Sequence, residues 1–150
     1  MINVTKVAEI DAETLAKNLH QTRQQLAEFW EESAYKQPVN LIAVSKKHPP
    51  QAVVAAADAG QREFAENYVQ EGIDKIRAVD SPDLIWHFIG PLQSNKTKDV
   101  AANFDWVQSV EREKIARRLN DQRPQQLPPL NVLLQVNIDD DDNKSGLAPE

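Results

Sequence analysis

Leu15, Leu19, Thr22, Leu26 and Trp30 recur at helical spacing and form one largely apolar stripe, interrupted by Thr22. Lys17, Arg23, Glu28 and Glu31 fall on other faces, so the first forty residues read mostly as a helix, stopped by Pro38. Leu41 to Ser45 then suits a buried strand and runs directly into Lys46, with Pro49 and Pro50 closing the stretch. From there the pattern alternates. Residues 50–59 form a helix of small residues ended by Gly60. Arg62 to Asn67 is a short strand, and residues 69–79 form a helix with Val69, Ile73 and Ile76 on one side. Leu84 to Ile89 is a strongly apolar strand closed by Gly90-Pro91, and residues 96–102 form a short helix. Phe104 to Val110 is a fourth strand. Residues 111–121 form a charged helix, with Glu111 and Glu113 in its first turn and Arg117 and Arg118 later, as the helix dipole favours. A proline-rich connection leads to a fifth strand over residues 131–138.

One helix followed by β-α-β-α-β-α-β-α-β implies a parallel sheet with right-handed crossovers and helical cover. Either an open doubly wound sheet or a (β/α)8 barrel fits. Glycine is scarce, at four residues, and no G-x-G-x-x-G follows the first strand, which disfavours a Rossmann-type nucleotide domain. Polar residues gather at the carboxyl ends of strands: Lys46, Asn67, His87 with Gln93 to Lys96 beyond, Ser109 and Asn137. Barrels keep their sites on that face, and they usually need roughly 200 residues or more.

Composition narrows the class. A chain of 150 residues, 41% hydrophobic and 27% charged, is read as a single globular domain over 1–150. No apolar run approaches the ~20 residues that span a bilayer. The first ten residues lack the basic and apolar regions of a secretory signal, so a cytoplasmic protein is expected. Without cysteine there is no disulfide, thiolate metal site or thiol nucleophile, and a net charge of −6 argues against phosphate-neutralising nucleic-acid binding.

Several residues could carry chemistry. A lysine among apolar neighbours loses solvation, its pKa falls, and the neutral amine can attack an aldehyde such as that of pyridoxal phosphate. Lys46 fits that role or simply marks a strand end. Side chains two apart share a face, so Lys46 points with Val44 and Lys47 points away. His87 is either a hydrogen-bonded core histidine or a ligand-side group, and Asn67 either contacts a ligand or holds a βα turn. In the loop from Gly90 to Lys96, Ser94 or Asn95 is either a helix N-cap or part of an anion-facing rim with Lys96. The run Asp139 to Asp142 suits a solvated loop better than a cation site, and Lys144 can pair with it. The basic residues of the helix after Val110 alternate with acids and read as a solvated face.

Four segments occur in a recognisable order: Ala43-Val44-Ser45-Lys46, Glu66-Asn67-Tyr68-Val69-Gln70-Glu71, the run from Trp86 to Lys96, and Asn143-Lys144-Ser145-Gly146. Together they closely resemble the pyridoxal-phosphate homeostasis protein family, especially its proteobacterial members, from the first helix to the last residue. The resemblance implies an α/β fold, the alanine-racemase-like TIM (β/α)8 barrel, of which this chain covers about the first five βα units. It implies pyridoxal 5'-phosphate as cofactor, held as an internal aldimine (a Schiff base) by Lys46. Asn67 and His87 would lie near the ring, Ser94, Asn95 and Lys96 would line the mouth, and Lys144 would face the site from the end of the fifth strand. No catalytic residue and no metal are expected. The implied role is non-catalytic, in intracellular vitamin B6 and amino-acid homeostasis. The implied partners are the cofactor and pyridoxal-phosphate-dependent apo-enzymes, with neither nucleic acid nor membrane, and the implied state is a monomer or weak dimer.

Departures from the family pattern are mild: Lys47-His48 before the prolines, Ala65 where glycine is common, and an exaggerated acidic loop. Family members continue through strands that carry a phosphate cup and an arginine for the pyridine nitrogen. A chain ending at residue 150 is therefore expected to bind the cofactor weakly and to leave sheet edges open. The alternatives are a racemase or decarboxylase of the same barrel type, or a fragment without ligand. Against the enzyme, Tyr35 and Tyr68 are the only tyrosines to supply a second acid–base group.

Overall fold

The apolar stripe near the amino terminus folds as α1 (Ala12–Glu32), started by Asp11, whose carboxylate accepts from the Thr14 backbone N–H at 3.0 Å. The computed structural model describes residues 11–139, 141 and 143–149. The first ten residues, and Asp140 and Asp142 of the acidic run, lie outside the described residues. Helix α1 ends at Glu32, well ahead of Pro38. The Lys36 ammonium donates to the carbonyls of Trp30 (3.1 Å) and Glu31 (2.7 Å), satisfying acceptors of the last turn.

The expected alternation follows in order. It comprises β1 (Ala43–Val44), α2 (Pro50–Asp58), β2 (Glu63–Glu66), α3 (Val69–Val79), β3 (Ile85–Phe88), a 3-10 turn (Ser94–Lys96), α4 (Thr97–Asn103), β4 (Trp106–Val110), α5 (Glu113–Gln122) and β5 (Asn131–Leu134). Pro50 opens α2 at the position where its missing N–H costs nothing, and Gly60 follows the helix at φ +89°, which only glycine adopts freely.

All five strands are parallel, and their spatial order is β1-β2-β3-β4-β5. A doubly wound sheet reverses its strand order at a switch point; this one never does. Each helix also packs on the next, α1 on α2 through to α4 on α5, forming one continuous layer. Sequential parallel strands with consecutive helices side by side are the wall of a (β/α)8 barrel, so the architecture is a partial TIM-like barrel. Alternation along β2 and β3 sends Phe64, Trp86 and Phe88 into the helix layer, where they meet Phe104, Val107 and Leu119 in the buried core. The opposite face carries Glu63, Ala65, Ile85 and His87.

Two strands are shorter than the residue pattern suggests. The expected buried strand from Leu41 to Ser45 reduces to Ala43–Val44, and Val44 is 48% exposed. Among the described residues β1 is an edge strand, paired with β2 alone, and the Leu41 carbonyl accepts from the Gln61 carboxamide rather than from a neighbouring strand. The fifth strand stops at Leu134 instead of running to Ile138. Beyond it, Val136 bridges in parallel to Leu147, so the segment after the acidic loop folds back beside it.

Candidate functional site

The site is built from the carboxyl ends of the strands. The Ser45 N–H donates to the Ala65 carbonyl (3.0 Å), and the Ile89 N–H donates to the Glu66 carbonyl (2.9 Å), so the β1, β2 and β3 ends stay in register past the last paired residues. This register sets Lys46, Asn67 and Ile89 side by side on the face opposite the helices. Lys46 is exposed, and its ammonium makes no hydrogen bond or ion pair among the described residues. Among the described residues the apolar enclosure expected around it is not present: β1 is short and stands at the sheet edge. Asn67 differs. Its carboxamide oxygen is buried and lacks any donor among the described residues. An acceptor left in that condition costs about 1–3 kcal/mol unless a donor arrives.

His87 lies one layer below Asn67, buried, between Ala65 and Trp106 in the sheet register. Its Nε2–H donates to Glu63 Oε2 (3.0 Å), while Nδ1 accepts from the Gln108 carboxamide (2.9 Å), and the ring stacks on Trp106 at 5.6 Å. Burial pushes its pKa below the usual histidine value, and the Glu63 carboxylate only partly opposes that. Both ring nitrogens are thus committed within the protein, as the core-histidine reading required.

The loop after β3 is held from several sides. Ser109 Oγ donates to the Gly90 carbonyl at 2.6 Å, and a Cβ built on Gly90 would stand 2.1 Å from the Asn67 carbonyl oxygen. Only glycine permits that approach. Neither Ser94 nor Asn95 caps a helix. Gln93 and Lys96 occupy the cap positions, and neither makes a side-chain capping bond. The Ser94 carbonyl instead accepts from Thr97 Oγ1 and Arg118 Nε, both at 2.9 Å. Arg118 is therefore no member of a solvated face. Glu111 likewise falls outside α5, which begins at Glu113, and pairs with Arg112 at 3.5 Å.

At the ends of β3 to β5 a cleft of about 460 Å³ is lined by Ile89, Ser109, Glu111, Asn137 and Lys144 among others. Lys144 lines it and pairs with Asp141 at 3.9 Å. Ser94, Asn95, Lys96, Lys46 and His87 are not among its lining residues. Among the described residues no cluster of His, Cys, Asp or Glu is suited to a metal ion, and no helix is long and apolar enough to cross a membrane.

Sequence reasoning missed a buried ionic cluster under Lys46. Lys75, 3% exposed, donates from α3 to Glu66 Oε1 (2.5 Å), Glu71 Oε1 (3.2 Å) and the Ser45 carbonyl (2.7 Å). Ser45 Oγ donates to the same Glu66 oxygen (2.6 Å), and the Lys47 N–H donates to Glu71 Oε1 (2.5 Å). The i,i+4 spacing of Glu71 and Lys75 was the one local signal.

Comparison with known proteins places these features in a family. The profile of the alanine racemase N-terminal domain matches residues 10–150. The pyridoxal phosphate homeostasis protein of Escherichia coli (strain K12) is 59% identical over 112 residues, covering 73% of this chain and 48% of that protein. The structure of PipY of Synechococcus elongatus without PLP aligns with a TM-score of 0.77 at 40% identity, covering 90% of this chain and 59% of that one. The same protein with PLP bound aligns with a TM-score of 0.75 at 38% identity, covering 90% and 58%. The chain spans about half the length of the curated relatives it matches. The resemblance and the barrel fold expected from the motif series are both borne out.

Proposed function

The chain belongs to the alanine racemase N-terminal domain family, and from that premise we propose that it holds pyridoxal 5'-phosphate at Lys46 in a non-catalytic, vitamin B6-homeostatic role. The observation that carries the reading is the pairing of Lys46 with Asn67 at adjacent strand ends. One offers an exposed amine without an internal partner, and the other a buried oxygen without a donor. This donor set fits the cofactor. When bound, pyridoxal phosphate supplies an aldehyde that condenses with a lysine amine and releases one water. Lys46 contributes that amine, and Asn67 accepts a hydrogen bond from the ligand. Lys144 brings a cation to the neighbouring cleft. The side chains of Ser94, Asn95 and Lys96 form the rim, on a loop that the Thr97 and Arg118 bonds to the Ser94 carbonyl hold in place. His87 acts from beneath, its neutral ring keeping Glu63 and Gln108 in place.

The relatives named as homeostasis proteins, and the relative solved with PLP, support this reading. The test is borohydride reduction of the full chain with pyridoxal phosphate, followed by peptide mapping. The expected result is a reduced adduct on Lys46, lost in Lys46→Ala. Adduct formation confined to other lysines, or unchanged binding by Lys46→Ala, overturns it. Incubation of the loaded protein with single amino-acid enantiomers separates a carrier from a racemase or decarboxylase, and no turnover is expected.

A further inference from the structure

Two lysines stand next to each other at the end of β1, and nothing in their chemistry tells them apart. The geometry points to Glu71 and Lys75 of α3 as positioning residues that present Lys46, rather than Lys47, to the ligand face. The inference rests on the reading of Lys46 as the cofactor lysine and adds the device that selects it.

Lys46 itself is untethered, while both its neighbours are fixed from the same helix. On one side, the Ser45 carbonyl accepts from Lys75 Nζ at 2.7 Å, and Ser45 Oγ donates to Glu66 Oε1 at 2.6 Å. On the other, the Lys47 N–H donates to Glu71 Oε1 at 2.5 Å. Lys47 adopts φ +63°, a left-handed conformation that a non-glycine residue keeps only when its surroundings over-determine it. The turn is closed by the His48 N–H, which donates to the Ser45 carbonyl at 3.0 Å, and the Glu71 carboxylate, by taking the Lys47 N–H, holds that turn against α3. Lys75 holds the carboxylates in place. Its three ammonium protons meet three acceptors, Glu66, Glu71 and the Ser45 carbonyl, and it is buried with Glu66. In this turn Lys46 continues the strand's alternation toward Asn67, while the backbone reversal at Lys47 takes the second lysine off that face. Releasing Glu71 lets the turn relax, and the two amines then compete.

Selection of one amine can be read directly. The full chain is reduced with borohydride in the presence of pyridoxal phosphate, and the ratio of adduct on Lys46 to adduct on Lys47 is measured by peptide mass. Glu71→Ala is expected to lower that ratio about tenfold, the order of effect of losing a hydrogen bond to a charged acceptor. Glu71→Gln, which still accepts, is expected to stay within about threefold of the parent on the same reasoning. Lys75→Met is expected to act like Glu71→Ala. Should it fail to fold, Glu71→Ala decides alone, since the Glu71 side chain is 31% exposed. Trace acetylation without cofactor gives the relative reactivity of the two amines independently. A parent chain that traps no cofactor at Lys46 sinks the functional reading, yet the acetylation ratio still tests the positioning. An unchanged ratio in folded Glu71→Ala by both readouts overturns the inference.

Discussion

On the helix-covered side of the sheet, Phe64 meets Trp86 at 5.6 Å and Phe88 meets Phe104 edge-on at 5.5 Å, contacts made by ring surfaces rather than by hydrogen bonds. On the opposite side of the same strands, the alternate residues Glu63, His87 and Gln108 form a hydrogen-bonded row, and Asn67 above it keeps an oxygen without a donor. The first surface gains from every contact it closes and needs only shape. The second stays wet-tolerant and directional, so each member depends on a named partner. The Glu66–Lys75 pair crosses this division. It is ionic yet buried among the helices, directly under the turn that carries Lys46.

The largest expected effects come from breaking either kind of burial. Phe88→Ala empties a fully enclosed ring position and is expected to cost about 3–5 kcal/mol in urea unfolding. Lys75→Met is expected to cost a similar 3–5 kcal/mol, because Glu66 is left buried with an uncompensated charge. The two losses differ in how they are repaired. Pairing Lys75→Met with Glu66→Leu is expected to recover most of the stability, since a buried ion pair gains little over apolar packing. No second substitution at a single neighbour refills the Phe88 site. Failure of the double variant to recover would show that the cluster serves the fold itself and not only the turn.

A smaller effect is expected at the seam between the two surfaces. Gly90→Ala drives a methyl group to within 2.1 Å of the Asn67 carbonyl, so the β2 end must shift. Overpacking of this kind costs about 1–3 kcal/mol and displaces Asn67 from its register with Lys46. Unfolding midpoints and cofactor titration measure the two consequences. A loss of cofactor binding larger than the loss of stability accounts for is expected, and parallel losses would place Gly90 in the fold alone.

How far the residues announced all this depends on the range of the interaction. Helix α3 runs from Val69 to Val79, where its apolar spacing and flanking polar residues put it, because those are local signals. The barrel order was legible from alternation plus the motif series, whereas alternation alone left the doubly wound sheet open. The β1 strand was overread: Leu41 to Ser45 has the composition of a central strand, and composition carries no information about being at an edge. Lys75 and Arg118 were read, or passed over, as solvated charges. Lys75 finds Ser45 thirty residues away, and Arg118 finds Ser94 twenty-four residues away, and no periodicity encodes such partners. Of the expected site residues, Lys46 and Asn67 adjoin and Lys144 lies in the cleft of β3 to β5, while His87 lies one layer below Asn67.

The smallest effect belongs to His87 and separates the polar face from the apolar one by pH. In the unfolded chain histidine takes up a proton near pH 6.5, whereas folded His87 resists it, because burial disfavours the cation more than Glu63 favours it. Below about pH 6.5 the unfolded state therefore binds more protons than the folded state, and stability falls as the pH is lowered. His87 contributes in full above that range and progressively less below it, by at most about 1.4 kcal/mol per pH unit for one proton. His87→Gln keeps a donor and an acceptor near Glu63 and Gln108 but cannot titrate. Urea unfolding between about pH 7.5 and 5.5 should show the parent losing more stability than this variant, while Phe88→Ala follows the parent's slope at a lower level. Equal slopes for parent and His87→Gln would mean that His87 takes up its proton alike in the folded and unfolded chain, whereas a parent that gains stability over the variant as the pH falls would mean a protonated imidazole paired with Glu63. The polar row would then be a charged one.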